Sequence, residues 1–181
     1  QNLAGLDVEI VEGGLTDKSA IEEGVKGCRY VFHVAADYRI WIPNPESMYA
    51  ANVEGTEIVL RAAAKAGAER IVHCSSVAAV KVPHDKIPVD ETSEYGSLDE
   101  IVGHYKKSKF QADVLARRLG KSEGLPVVIV NPAAPIGAYD IKPTPTGKMV
   151  VDFLNGRIPS YIDTGLNIVH VEDVAMGHWL A

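Results

Sequence analysis

Short apolar runs alternate along this chain with longer stretches in which apolar residues recur at a helical period. Residues 8–11 (Val-Glu-Ile-Val), 30–36 (Tyr-Val-Phe-His-Val-Ala-Ala), 70–74 (Arg-Ile-Val-His-Cys) and 127–130 (Val-Val-Ile-Val) read as strands. Residues 16–26, 45–66 and 104–123 read as helices. Each has a glycine just past its end: Gly27, Gly67 and Gly124. Thr16 or Asp17 is the expected N-cap of the first. Strand and helix in this rhythm predict a parallel sheet covered by helices on both faces. The Val/Ile-rich strands have the continuous apolar character of such a sheet. Residues 82–103, with Pro83, Pro88 and Gly96, read mostly as loop.

From about Tyr139 the character changes. Residues 141–147 form a Pro/Thr-rich loop, 148–155 a short helix, and 158–168 a loop with short extended pieces. A further helix begins at Val171. No internal repeat is present.

Composition narrows the function classes. With 46% apolar residues, 181 residues can bury a core. The net charge of −6 and the lack of a basic stripe argue against nucleic acid. No apolar run reaches the ~20 residues of a bilayer-spanning helix. Cys28 and Cys74 have neither disulfide-framework nor metal-ligand spacing, so buried thiols in a reducing cytoplasm are expected, with no metal site.

The candidate chemistry is Tyr105 and Lys109. Four residues apart on a helix, they share one face. A lysine ammonium there is expected to lower the tyrosine pKa from near ~10. Tyr105 could then exchange a proton with an alcohol or carbonyl oxygen, while Ser76 or Ser75 holds that oxygen. The bland alternative is a solvated face carrying Lys106, Lys107 and Lys109, and with 7 tyrosines in the chain a chance pair is unremarkable. The surroundings favour chemistry. In an open parallel sheet, ligands bind beyond the carboxyl ends of the strands. Ala35-Ala36, Ser75-Ser76 and Asn131-Pro132 all fall at such ends.

Several motifs in order carry a resemblance. They include Val31-Phe32-His33-Val34-Ala35-Ala36, Asn52-Val53-Glu54-Gly55-Thr56, Cys74-Ser75-Ser76 and Tyr105-Lys106-Lys107-Ser108-Lys109. Asn131-Pro132, Pro135-Ile136-Gly137, Lys142-Pro143-Thr144-Pro145-Thr146-Gly147 and Val169-His170-Val171-Glu172-Asp173 follow. Together they resemble the extended short-chain dehydrogenase/reductase superfamily, in its epimerase/dehydratase and dihydroflavonol-reductase-like branch. The stretch 140–170 is most similar to the hopanoid-associated sugar epimerases.

The resemblance implies a Rossmann-like, doubly wound α/β sheet and an NAD or NADP cofactor. It assigns residues 1–138 to a partial cofactor-binding domain and 139–181 to the start of a substrate domain. Tyr105, Lys109 and Ser76 become the catalytic residues. Val34, Ala35, Ala36, Asn52, Ser75, Tyr105, Lys109, Pro132 and Ala133 become cofactor contacts. Ser76 is favoured over Ser75 because the second serine of such a run matches the catalytic position. His170 and Asp173 resemble a late motif read as structural. The implied partner is a small sugar-like or alcohol/ketone substrate, with a homodimer possible through the long helices. The competing reading is a non-catalytic cofactor-binding relative.

Two departures matter. The glycine-rich turn that opens the superfamily and receives a pyrophosphate at a helix N-terminus is absent from these residues, so an internal fragment truncated at both ends is expected. Gly14 also stands where relatives carry an adenine-binding aspartate. Without that turn, the 181-residue chain is expected to bind NAD(H) or NADP(H) poorly. Isothermal calorimetry checks this, and micromolar affinity would overturn it.

Overall fold

A computed structural model describes residues 2–82, 87–161 and 163–181. The chain forms two compact units, Ile10–Asn131 with Ala181, and Gln1–Glu9 with Pro132–Leu180.

In the larger unit, helix α1 (Lys18–Gly24) leads to strand β1 (Tyr30–His33). A continuous helical segment follows: α2 (Glu46–Tyr49), a π-helical stretch (Ala50–Glu54) and α3 (Gly55–Lys65). Strand β2 (Arg70–Cys74), helix α4 (His104–Glu123) and strand β3 (Val127–Val130) complete it. The three strands pair in parallel in the order β1-β2-β3, with Ile71 opposite Val31 and Val127.

Local chemistry sets the boundaries. The Asp17 carboxylate accepts from the Ser19 and Ala20 amides at 3.1 Å, capping α1. Gly27, Gly67 and Gly124 follow their helices with φ of 72°, 85° and 71°, a region costly for other residues. Gly55 has a different reason. A Cβ there would sit 2.7 Å from the Leu15 Cβ, so only glycine lets this helix lie against Leu15.

The core lies where α3 and α4 meet the sheet. Leu60, Ala63, Ile71, Ala116 and Leu119 are buried together, with Val31, Val127 and Ile129 packed against them. One repeat along the same face, at β1 and β2, the layer turns polar: His33 and His73 are buried there.

Three strand expectations need correction. Residues 8–11 form no strand, and Val8, Ile10 and Val11 are exposed. The apolar pattern is present, but none of the described strands pairs with it, and a strand exists only through its neighbour's hydrogen bonds. The run 30–36 is a strand only to His33, and Tyr30 and Phe32 are exposed because β1 is an edge strand. Full burial holds for the central strand, where Ile71, Val72 and His73 are covered.

The expected loop 82–103 is irregular where described, apart from a short turn at Leu98–Glu100, and residues 83–86 lie outside the described residues. There the Glu100 carboxylate accepts from the Gly96 and Ser97 amides.

In the smaller unit, β4 (Ala134–Ile136) pairs in parallel with β5 (Ile168–His170). Helices α5 (Pro145–Leu154) and α6 (Val171–Leu180) complete it. Strand β4 was not expected; three residues centred on a proline carry no periodic signal. Helix α5 begins three residues earlier than expected because Thr144 caps it, accepting from the Gly147 amide at 3.2 Å, with Pro145 in the first turn. Residue 162, within the expected loop 158–168, lies outside the described residues.

Two outcomes follow from this packing. Leu60→Ala removes a fully buried side chain and should cost about 2–5 kcal/mol in urea unfolding. Burial, aided by the Lys109 charge, holds the His33 pKa at about 4, against 6.5 ordinarily. The unfolded chain therefore takes up a proton that the folded chain refuses. Stability should be fully present above about pH 6.5 and fall as pH drops towards about 4. Urea midpoints across that window test it.

Candidate active site

Helix α4 begins after Gly103 (φ 90°) and lays Tyr105, Lys109 and Asp113 along one side at spacings of four residues, with Ser108 beside Lys109. Strand β2 ends against that side, and Cys74, Ser75 and Ser76 meet it there.

Lys109 is only 4% exposed, and its ammonium donates to the Cys74 carbonyl at 2.9 Å. Burial pulls its pKa below the usual lysine value, and Cys74 and Asp113 pull it partly back. Tyr105 is largely enclosed. Burial pushes its phenol above 10, a side-chain hydrogen bond with Ser76 opposes that, and Cys74 adds to it. The expected direction is therefore corrected. The Tyr105 phenol is raised rather than lowered, and Lys109 is not among the groups acting on it. The physical reason is that the ammonium is engaged with a main-chain carbonyl while desolvation acts on the phenol unopposed by a nearby charge.

The two serines diverge. Ser76 Oγ accepts from the Ala78 amide at 3.1 Å, and its hydroxyl is the group that draws the Tyr105 pKa down. Ser75 is buried and donates to the Asp113 carboxylate at 2.6 Å, while its amide donates to the Val130 carbonyl at 2.8 Å. Sequence reasoning missed Asp113, although it lies four residues beyond Lys109 on the same face. Its carboxylate also accepts from Asn131 at 3.0 Å and pairs with Arg117 at 2.8 Å.

Asn52 sits in the π-helical stretch, a local distortion often found at functional sites. Its side chain is fully used. It accepts from the Asp37 amide at 2.7 Å and donates to the Asp37 carbonyl at 2.8 Å and to Ser108 Oγ at 2.9 Å. Ser108 in turn donates to the Tyr105 carbonyl at 2.8 Å. Asn52 thus ties the loop after β1 to the first turn of α4. Ser108 was also missed, and its place between Tyr105 and Lys109 was the available signal.

Val34, Ala35 and Ala36 follow β1 without regular secondary structure, with Val34 and Ala35 exposed. Val34 and Ala35 line a cleft of about 310 Å³ together with Gly13, Leu15 and Val59. Small side chains leave the backbone there open to close approach by a flat ligand. Pro132 and Ala133 are partly buried at the start of the stretch that continues into β4, in the smaller unit. His170 and Asp173 also lie in that unit, in β5 and in the first turn of α6, and His170 Nδ1 accepts from the Glu172 amide at 3.3 Å. Among the described residues, no three His, Cys, Asp or Glu side chains are grouped so as to hold a metal, and no helix is long and apolar enough to cross a membrane.

The chain is similar to several known proteins. A Synechocystis sp. protein, provisionally named a dihydroflavonol 4-reductase, is 44% identical over 180 residues, covering 99% of this chain and 52% of its own. Sterol demethylase protein B of Methylococcus capsulatus is 31% identical, with coverages of 99% and 54%. This chain thus spans about half the length of the curated relatives it matches. Among solved structures, gox2253 superposes with a TM-score of 0.92 at 50% identity, over 99% of this chain and 54% of that one. The dTDP-glucose 4,6-dehydratase DesIV of Streptomyces venezuelae, solved with NAD and DAU bound, superposes with a TM-score of 0.82 at 26% identity, with coverages of 98% and 55%. The parallel α/β sheet is therefore Rossmann-like. The profile of the NAD dependent epimerase/dehydratase family matches residues 1–181, and the chain belongs to that family.

Proposed function

We propose that Tyr105, Ser76 and Lys109 are the acid–base centre of an NAD(P)-dependent epimerase/dehydratase or reductase acting on a sugar-like or alcohol/ketone substrate. The observation that carries this reading is the buried Lys109 ammonium on the Cys74 carbonyl at 2.9 Å, which sets the first turns of α4, with Tyr105, against the strand end that Ser76 follows. Two hydroxyls brought to one strand end can address one substrate oxygen, one polarising it and the other exchanging its proton.

In the reducing direction Tyr105 donates its phenolic proton to the carbonyl oxygen as hydride reaches the carbon. In the oxidising direction Tyr105 takes the hydroxyl proton as hydride leaves. Ser76 holds the oxygen in both. A bound nicotinamide supplies or accepts the hydride. Residues fit to hold it are Val34 and Ala35 along the cleft and Ala36 next in the chain, with Tyr105 and Lys109 at the reacting end. Asn52 and Ser75 brace that end from within, and Pro132 and Ala133 are the contacts assigned from the smaller unit. The DesIV structure, which contains NAD, supports the cofactor class.

In this reading residues 1–138 serve the cofactor and 139–181 begin the substrate region. The resemblance of the 140–170 stretch supports a hopanoid-associated sugar epimerase as the finer assignment. A cytoplasmic enzyme, dimeric through its long helices, completes the proposal.

In a turnover assay of the complete protein with a nicotinamide cofactor and an alcohol/ketone substrate, Tyr105→Phe should lose at least ~100-fold in rate. Cofactor affinity, read by fluorescence titration, should be nearly unchanged. Retained turnover would overturn the assignment.

A further inference from the structure

Cys74 ends β2, Ser75 and Ser76 follow it, and each of the three is held by its own contact. The Cys74 carbonyl accepts from Lys109 at 2.9 Å. The Ser75 hydroxyl donates to Asp113 Oδ2 at 2.6 Å. The Ser76 carbonyl accepts from Asn131 Nδ2 at 3.2 Å, and the same nitrogen donates to Asp113 Oδ2 at 3.0 Å. Two of the three contacts therefore meet at one carboxylate oxygen. The other oxygen, Oδ1, faces Arg117 Nε at 2.8 Å, one turn further along α4. Arg117 also pairs with Glu94, in the loop that separates Ser76 from Tyr105 in the chain.

Asp113 is 4% exposed, and a buried carboxylate is costly unless its oxygens are met by donors. Packing does not ask for a charge here, because Ala116 and Leu119 already seat α4 on the sheet. The donors separate the two serines. A serine has one proton to donate. Ser75 gives its proton to Asp113 and has none left for a substrate oxygen. Ser76 Oγ accepts from the Ala78 amide at 3.1 Å, a bond that places the oxygen without using the proton.

We propose that Asp113 is a positioning residue for Ser76: its buried carboxylate, reaching Ser75 directly and the Ser76 carbonyl through Asn131, sets the strand end so that the Ser76 hydroxyl is presented to the substrate oxygen. The use made of Ser76 rests on the acid–base reading given above; the clamp itself rests on the contacts alone. Arg117 holds the carboxylate from the next turn of α4, and Asn131 brings in the end of β3. Ser76 is thus fixed from the helix and from the neighbouring strand together. Removing the carboxylate leaves the Ser75 hydroxyl without its acceptor and Asn131 without its anchor, and Ser76 loses both supports at once.

Amide hydrogen exchange in the 181-residue protein reads the clamp without turnover. The Ala78 amide is protected by the Ser76 oxygen, whereas the Ile71 amide, donating to the Pro126 carbonyl at 2.8 Å, reports the far end of β2. In Asp113→Leu, exchange at Ala78 should quicken at least about tenfold with Ile71 unchanged. Asp113→Asn keeps an acceptor oxygen and should recover part of the protection. Unchanged exchange at Ala78, or an equal rise at Ala78 and Ile71, would overturn the proposal. If the leucine variant does not fold, Asn131→Ala, which cuts the arm to the Ser76 carbonyl, takes its place with the same readings. In the complete protein, Asp113→Leu should lower kcat at least about tenfold with cofactor affinity nearly unchanged. Lost turnover in Tyr105→Phe with unaltered kcat in Asp113→Leu would sink the positioning role alone. Full turnover in Tyr105→Phe with faster Ala78 exchange in Asp113→Leu would sink the acid–base assignment alone.

Discussion

The buried Lys109 ammonium is the constraint around which this structure is arranged. An isolated charge in a protein interior is costly, and it persists only where polar groups surround it. The Cys74 carbonyl, at 2.9 Å, is the first of these. That carbonyl is free because β2 ends there, and β2 ends against α4 because the helix brings Lys109 to it. A register shift of α4 by one residue would point Lys109 elsewhere by about 100° and leave the carbonyl without its donor. The apolar contacts of Ala116 and Leu119 further along α4 hold the helix to the sheet. The ammonium fixes which turn of the helix meets the strand end.

The same logic extends to the uncharged groups. Asn52 spends its amide on Asp37 and Ser108, and Ser108 spends its hydroxyl proton on the Tyr105 carbonyl. Asp113 accepts from both Ser75 and Asn131, joining the ends of β2 and β3 to α4. The helix is therefore gripped on two sides by polar contacts whose partners sit at strand ends or in the π-helical stretch. Hydrophobic contact alone tolerates sliding, whereas saturated polar partners do not. That is what a site needs if a phenol and a hydroxyl must address one oxygen within hydrogen-bond reach.

Helical period was enough to place Tyr105 and Lys109 on one face, and strand-end logic put Ser75 and Ser76 beside them. Glycines at 27, 67 and 124 marked helix ends because positive φ leaves few alternatives. Other features depend on neighbours that local sequence does not name. The apolar pattern at residues 8–11 is strand-like, yet pairing decides whether a strand forms. Burial of β1 depends on whether it lies at an edge, and β4 exists only because β5 lies beside it across the fold. The pKa of Tyr105 was misread for a related reason. Spacing puts the lysine nearby, but it says nothing of the Cys74 carbonyl that engages the ammonium or of the enclosure that desolvates the phenol.

That misreading has a chemical consequence. A phenol raised above its ordinary value is a firmly held proton at neutral pH, so Tyr105 rests as an acid. Proton donation to a carbonyl then starts from the species already present. The reverse step, removing an alcohol proton, requires the phenolate. Burial disfavours that anion, and the Ser76 hydrogen bond is the one contact here that favours it. Any change that frees Lys109 from the Cys74 carbonyl and brings its charge nearer to the phenol would stabilise the anion by direct attraction. In the proposed reading, moving the ammonium from the Cys74 carbonyl towards the phenol would favour the phenolate that removal of an alcohol proton requires.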